Sequence, residues 1–391
     1  MKARCDNLGP STVSAPPVDD RYVSRGRGRR VALALAVLAA LGGCAAERPA
    51  APETVATAAP AGPVAPAALQ ARLDALAAGF DGRVGLAVRD VRAGWTAAVD
   101  GGGAFPQQSV SKLWVAVAAL DAVDRGALRM DDPVVVTPAD LSVFHQPIRA
   151  ELRNGRHDTT VEALLTAAMV QSDNAANDIL IRRLGGAPAV QQTLQRKGLN
   201  DLRLGAEERH LQARIAGLEW RPEYSFGRTF WTARDALPPQ TRTAAMESYL
   251  RAPPDAATPV ATVTALARLQ RGELLSPAST EWLLSTLETV ETGPNRLKAG
   301  LPPGWRLAHK TGTGQVLGEL QTGFNDVGLI TAPDGRTYAV AVFIAFTRRP
   351  LPERQALMAE VSRAVATHHA GTYDPTGITS PATPGRTQTA R

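Results

Sequence analysis

Apolar and polar positions follow two different rhythms along this chain, and the rhythm changes twice. Residues 67–80 (AALQARLDALAAGF) repeat apolar positions every three or four residues, the period of a helix. Arg83-Val-Gly-Leu-Ala-Val-Arg89 and Trp95-Thr-Ala-Ala-Val99 then read as short strands, with Arg92-Ala-Gly94 as the turn between them. From Ser109 to about Leu287 helical spacing prevails, and it predicts helices over 112–125, 160–170, 174–184 and 258–271. Strand-like runs return at 305–309, 323–330 and 337–346, the last two joined through Pro333-Asp-Gly335, and a final helix is expected near 352–368.

Strands at both ends with a helical block between them predict an α/β fold of the α+β type. An antiparallel sheet is built from both chain ends, with flanking helices and an inserted all-helical lobe. A cleft is expected where the lobes meet. The folded part is placed at 67–370. Residues 45–66 are Ala/Pro-rich without apolar periodicity and read as a tether, and 371–391 as a disordered tail.

Charge matters less than its total suggests. The formal net charge is +6, but residues 1–43 hold seven Lys/Arg against three acids, so four of the six excess charges lie there. The folded part carries too little for a nucleic-acid binder. Arg25-Gly-Arg-Gly-Arg-Arg30 precedes the apolar stretch 31–43, which is too short to span a bilayer but suits a signal-peptide core. Its end, Leu41-Gly42-Gly43-Cys44, resembles a bacterial lipobox. That implies cleavage before Cys44 and lipidation of its thiol, with 44–66 as the tether. Ala45 favours the outer membrane. The expected location is thus the periplasmic face of a membrane. Cys5 and Cys44 are the two cysteines, so the body has no disulfide and no thiol nucleophile.

Three short motifs could carry chemistry. Ser109-Val-Ser-Lys112 opens a helix, and a spacing of three puts Ser109 and Lys112 on one face. A hydroxyl needs a neighbour to take its proton, and a lysine one turn on can do so. Average usage gives about one or two such matches in a chain this long by chance, so the motif alone is weak. Ser172-Asp173-Asn174 opens another helix and would serve equally as a cap. Lys310-Thr311-Gly312-Thr313-Gly314 ends a strand-like run and would serve as an edge strand closing in a glycine turn.

In this order the three motifs resemble class A β-lactamases and penicillin-binding proteins, and the likeness extends from about Leu69 to His368. The resemblance implies Ser109 as the acylated nucleophile, Lys112 as its proton partner and Ser172 as the relay to the departing nitrogen. Asn174 would hold the substrate amide. Lys310, Thr311, Gly312 and Thr313 would hold the substrate carboxylate, with the N–H groups of Ser109 and Thr313 as the oxyanion hole. Counting from Ser172 at the family spacing lands on Glu208, in Glu208-Arg-His-Leu-Gln212, close to the family's Glu-x-x-Leu-Asn. Glu208 would activate the deacylating water with Gln212 beside it, and Phe144, with His145, falls at the family's aromatic gatekeeper. Substrates would be β-lactams or cell-wall peptides, acted on by a monomer without metal or cofactor.

Several positions depart from that pattern. Ala206 stands where the family has an Arg that locks this loop to an Asp, so Asp255, which fits the Asp, needs another partner. Asn325-Asp326 replaces a common Arg, as in an extended-spectrum branch, leaving Arg348, Arg349 or Arg354 to supply the charge. Residues 213–250 form an insertion rich in aromatics (Trp220, Tyr224, Phe226, Phe230, Trp231, Tyr249), readable as a lid over the cleft or as an extra packed subdomain. The six histidines form no zinc pattern, and His368-His369 is expected to be a solvated helix end. The rival functions are a D-Ala-D-Ala peptidase of the penicillin-binding type and a non-catalytic lipoprotein that binds wall fragments.

Overall fold

The computed structural model describes residues 63–372. The expected signal peptide, Cys44 and most of both expected tails lie outside these residues. Six strands form the main sheet: five run in the order Thr96–Val99, Arg83–Asp90, Thr337–Thr347, Leu320–Thr331, Arg306–Thr313, and the short Val316–Leu317 also pairs with Leu320–Thr331, every neighbour antiparallel. Early and late parts of the chain therefore join in one sheet, meeting where Arg83–Asp90 pairs with Thr337–Thr347, as the two blocks of strand-like sequence predict.

Alternation along the strands sorts side chains between two cores. Leu86, Val88, Val340, Val342 and Ile344 face the helices Ala67–Ala78 and Leu351–Thr372, where they meet Leu73, Met358, Val361 and Val365. Each such fully buried side chain contributes about 1.5–3 kcal/mol relative to exposure. Ala87, Ala339, Ala341 and Phe343 face the other way, onto the helical lobe. Small residues on that face let the Pro259–Gln270 helix lie close to the sheet. The Ser111–Asp124 helix runs through the middle of this second core with Leu113, Trp114, Val117 and Leu120 all buried. Its apolar positions are not confined to one stripe because it is covered on every side.

Local details differ from the periodicity in three places. The expected helix 160–170 is α-helical only over Val161–Thr166 and continues as a π-turn, Ala167–Gln171, which delivers Ser172. A small antiparallel pair, Pro133–Val136 with His157–Thr160, interrupts the helical block. His368 and His369 are not a solvated end. His369 is buried with its Nδ1 3.2 Å from the Tyr338 hydroxyl, and His368 stands edge-on to Trp95 at 5.2 Å. The last helix runs to Thr372 and carries both rings over the sheet, which a pattern read to residue 368 misses.

Candidate active site

Ser109 lies in a short 3-10 turn, Gln108–Val110, that runs straight into the Ser111–Asp124 helix. It therefore sits at the positive end of the helix dipole. Its own side chain is half-buried, while Lys112 is fully buried. The Lys112 ammonium donates to Ser109 Oγ at 2.6 Å, Asn174 Oδ1 at 2.8 Å and Glu208 Oε1 at 2.8 Å. Three sequence-distant segments thus converge on one nitrogen.

Capping and chemistry share the second motif. Asp173 caps the Asn174–Arg183 helix, accepting from the Ala176 N–H at 2.9 Å, and also accepts from Ile148 N–H at 2.7 Å. Ser172, just before it, is held at φ 63°, a left-handed conformation unusual for serine. There Ser172 Oγ accepts from the Lys310 ammonium at 2.9 Å. Burial pulls Lys310 well below the usual lysine range, and the nearby Lys112 charge adds to this.

Lys310, Thr311, Gly312 and Thr313 are the last four residues of the edge strand Arg306–Thr313, so the motif ends a strand as expected. Thr313 is exposed, whereas Thr311 is buried and shares a 2.6 Å hydrogen bond with Thr292. The cation at this end is Arg296, which the sequence reading missed. Its guanidinium donates to Thr313 Oγ1 at 2.6 Å and to the carbonyls of Asn325 and Gly312 at 2.6 and 3.1 Å, stacked 3.9 Å from the Phe324 ring. Burial lowers it to about 10, so it stays charged at neutral pH. Of the expected arginines, Arg349 pairs with Glu353 and Arg354 donates to Gln321 Oε1. Asn325 ties the chain ahead of Ser109 by donating to the carbonyls of Pro106 and Gln107 at 2.8 and 2.9 Å.

Glu208 is the first residue of the Glu208–Ile215 helix and is buried. Burial pushes its carboxyl up, but the Lys112 charge and hydrogen bonds from Lys112 and Gln212 outweigh this and hold it below the usual range. Gln212, one turn on, donates to Glu208 Oε2 at 3.2 Å and to Gln108 Oε1 at 2.8 Å, so its longer side chain reaches the carboxylate directly. Asp178 anchors the helix start, accepting from the N–H groups of Glu208 and Arg209 at 2.6 and 3.1 Å and from Ser142 Oγ at 2.7 Å. The neighbouring Glu207 points elsewhere, to Arg182 and Arg209.

The insertion is a packed unit that also borders the site. Its helices Thr229–Ala236 and Pro239–Arg251 bury Phe230, Met246 and Tyr249 against the Glu208–Ile215 helix and its flanks. Trp231 stacks on Phe144 at 5.0 Å, and Arg234 donates to the Val316 carbonyl at 2.7 Å. The insertion thereby touches the Phe144 loop next to Asn174 on one side and the turn after Thr313 on the other. Among the described residues no His, Cys, Asp or Glu cluster of metal-binding kind occurs.

Along most of its length the chain is similar to known proteins. The model of the β-lactamase enzyme family matches residues 68–369. Beta-lactamase VEB-1 of Pseudomonas aeruginosa is 27% identical, the match covering 72% of this chain and 83% of that protein. Beta-lactamase FAR-1 of Nocardia farcinica is 30% identical over 90% of this chain and 99% of its own length. An ancestral class A β-lactamase structure superposes with TM-score 0.60 at 32% identity, covering 77% of this chain and 99% of that chain.

Proposed function

The chain belongs to the β-lactamase enzyme family as a class A serine member, and from that premise we propose that it hydrolyses β-lactams through an acyl-enzyme on Ser109. The observation that carries the site assignment is the convergence of Ser109, Asn174 and Glu208 on the buried Lys112 ammonium.

Ser109 Oγ attacks the ring carbonyl and loses its proton to Lys112. In the intact site Lys112 is readied to accept it by passing one of its own protons to Glu208, 2.8 Å away; with that carboxylate replaced the proton leaves to water and acylation is slowed but still runs. The oxyanion forms against the N–H groups of Ser109 and Thr313. Collapse breaks the C–N bond, and Ser172 hands its proton to the departing nitrogen, with Lys310 beside it to stabilise the transient charge. Ser172 is then reprotonated from Lys112, which takes back the proton held by Glu208 and so restores the carboxylate. Asn174 holds the substrate amide, and Arg296, Lys310 and Thr313 hold its carboxylate. In the second half Glu208, with Gln212, takes a proton from water as it attacks the ester, and the bond to Ser109 Oγ breaks as a proton passes from Glu208 through Lys112 to that oxygen. All of these groups come from one chain, so a monomer suffices. Phe144 and the insertion wall the end of the cleft beyond Asn174. On the lipobox-like Leu41-Gly-Gly-Cys44 we further propose an exported protein lipid-anchored at the periplasmic face of the outer membrane.

Incubation with a chromogenic cephalosporin, followed by intact mass over time, tests the reading. Turnover without lasting mass gain supports it. A lasting adduct points to a peptidase-type receptor, and neither signal points to a binding module.

A further inference from the structure

Asp255 accepts from the Gln108 N–H at 2.8 Å and the Tyr249 hydroxyl at 3.2 Å, both through Oδ2. Among the described residues no Lys or Arg pairs with it, and its buried Oδ1 has no partner. Ala206 offers no charge here and packs against the same apolar cluster as Tyr249. The Tyr249 hydroxyl also accepts from Gln108 Nε2 at 2.5 Å. Gln108 in turn accepts from Gln212, which donates to Glu208. A buried line of hydrogen bonds therefore runs Asp255, Tyr249, Gln108, Gln212, Glu208. Gly323, at φ 54°, leaves room for it, since a Cβ there would lie 2.6 Å from Gln108 Cγ.

We propose that Tyr249, supplied by the insertion, is a positioning residue for deacylation, setting Gln108 and through it Gln212 and Glu208. This rests on the class A reading of the site and adds to it a lock built from a neutral hydroxyl. Tyr249 touches no reacting atom. It fixes the rotamer of Gln108, so the Gln212 amide presents its N–H groups to Gln108 and Glu208 while its oxygen accepts from Gln315 at 3.0 Å. Without the hydroxyl, Gln108 Nε2 is left buried and unpaired and turns to find an acceptor, and Gln212 follows. The nucleophile segment is held independently, by Asp255 through the Gln107 and Gln108 N–H groups and by Asn325 through two carbonyls. Acylation should therefore be spared.

Single-turnover acylation and deacylation are measured for wild type and Tyr249→Phe. Deacylation is expected to slow by roughly ten- to hundredfold, with acylation within about twofold. In a double-mutant cycle with Gln212→Ala the Tyr249→Phe effect should largely vanish, because both substitutions break one line. Equal slowing of both steps, unchanged rates with only a lower melting temperature, or additive effects in the cycle would each overturn the proposal. If Tyr249→Phe does not fold, Gln108→Leu breaks the same line from inside, and normal deacylation by that variant overturns it equally. A wild type that turns over no β-lactam refutes the class A reading instead, which separates the two failures.

Discussion

Replacing Glu208 by Gln separates the two halves of the proposed reaction. The substitution keeps the shape and an acceptor for Lys112, which also retains Ser109 Oγ and Asn174 Oδ1 at 2.6 and 2.8 Å. It removes the only carboxylate that hydrogen-bonds both Lys112 and Gln212 among the described residues. A positioned general base contributes about 10²–10⁴ in rate, so the deacylation barrier should rise by about 3–5 kcal/mol. Acylation loses the carboxylate that relieves Lys112 of its proton, but keeps Lys112 against the nucleophile. The expected pattern is a burst of about one product per enzyme followed by a stall, with a persistent adduct by intact mass. Ser109→Ala should give no adduct. Glu207→Gln should deacylate normally, because its carboxylate points to Arg182 and Arg209, 2.8 and 2.9 Å away. Normal turnover by Glu208→Gln, or a stall in Glu207→Gln instead, would refute the assignment of the base.

Other expectations test the rest of the site and the ends of the chain. Arg296→Ala removes a charged donor from Thr313, and a charge-assisted hydrogen bond of about 1.5–3 kcal/mol should appear mainly as a rise in KM of roughly tenfold or more; an unchanged KM excludes it from carboxylate binding. Burial, with the nearby Glu208 charge, raises Asp178 to about 7 despite its hydrogen bond from Ser142. The folded state then holds a proton the unfolded chain has released, so this group's stabilisation is complete below about pH 4 and is lost as pH rises through about 7. The slope can reach about 1.4 kcal/mol per pH unit. Denaturation of Asp178→Asn between pH 5 and 8 should show a flatter profile than wild type, and identical slopes would rule the group out. Cys44→Ser should move the protein from membranes to the soluble exported fraction, and unchanged partitioning counts against the lipid anchor.

Period and motif spacing were enough to read the architecture: strands at both ends, helices between, and three motifs in order. Those features are local, since side-chain alternation and a spacing of three residues follow from backbone geometry. They placed Ser109, Lys112, Ser172 and Lys310 on their elements, and the family spacing picked out Glu208 across a loop of irregular sequence. The insertion was visible as length and aromatic content.

What the sequence could not reveal is which distant side chains meet. Arg296 lies in a turn with no motif, yet the edge strand and the turn meet so that its guanidinium lands on Thr313. Thr311 read as a carboxylate donor, and only packing sets its hydroxyl 2.6 Å from that of Thr292. The last two histidines followed an ordinary helix end and were carried onto Trp95 and Tyr338 by the angle of that helix. Tyr249 read as one aromatic among several, and only the folding-back of the insertion brings its hydroxyl between Gln108 and Asp255. Sequence by itself therefore determined the elements and the chemical groups available, because these depend on neighbours along the chain. Tertiary structure decided the partners of each buried polar group, because an unpaired donor or acceptor away from water costs more than a local pattern can signal.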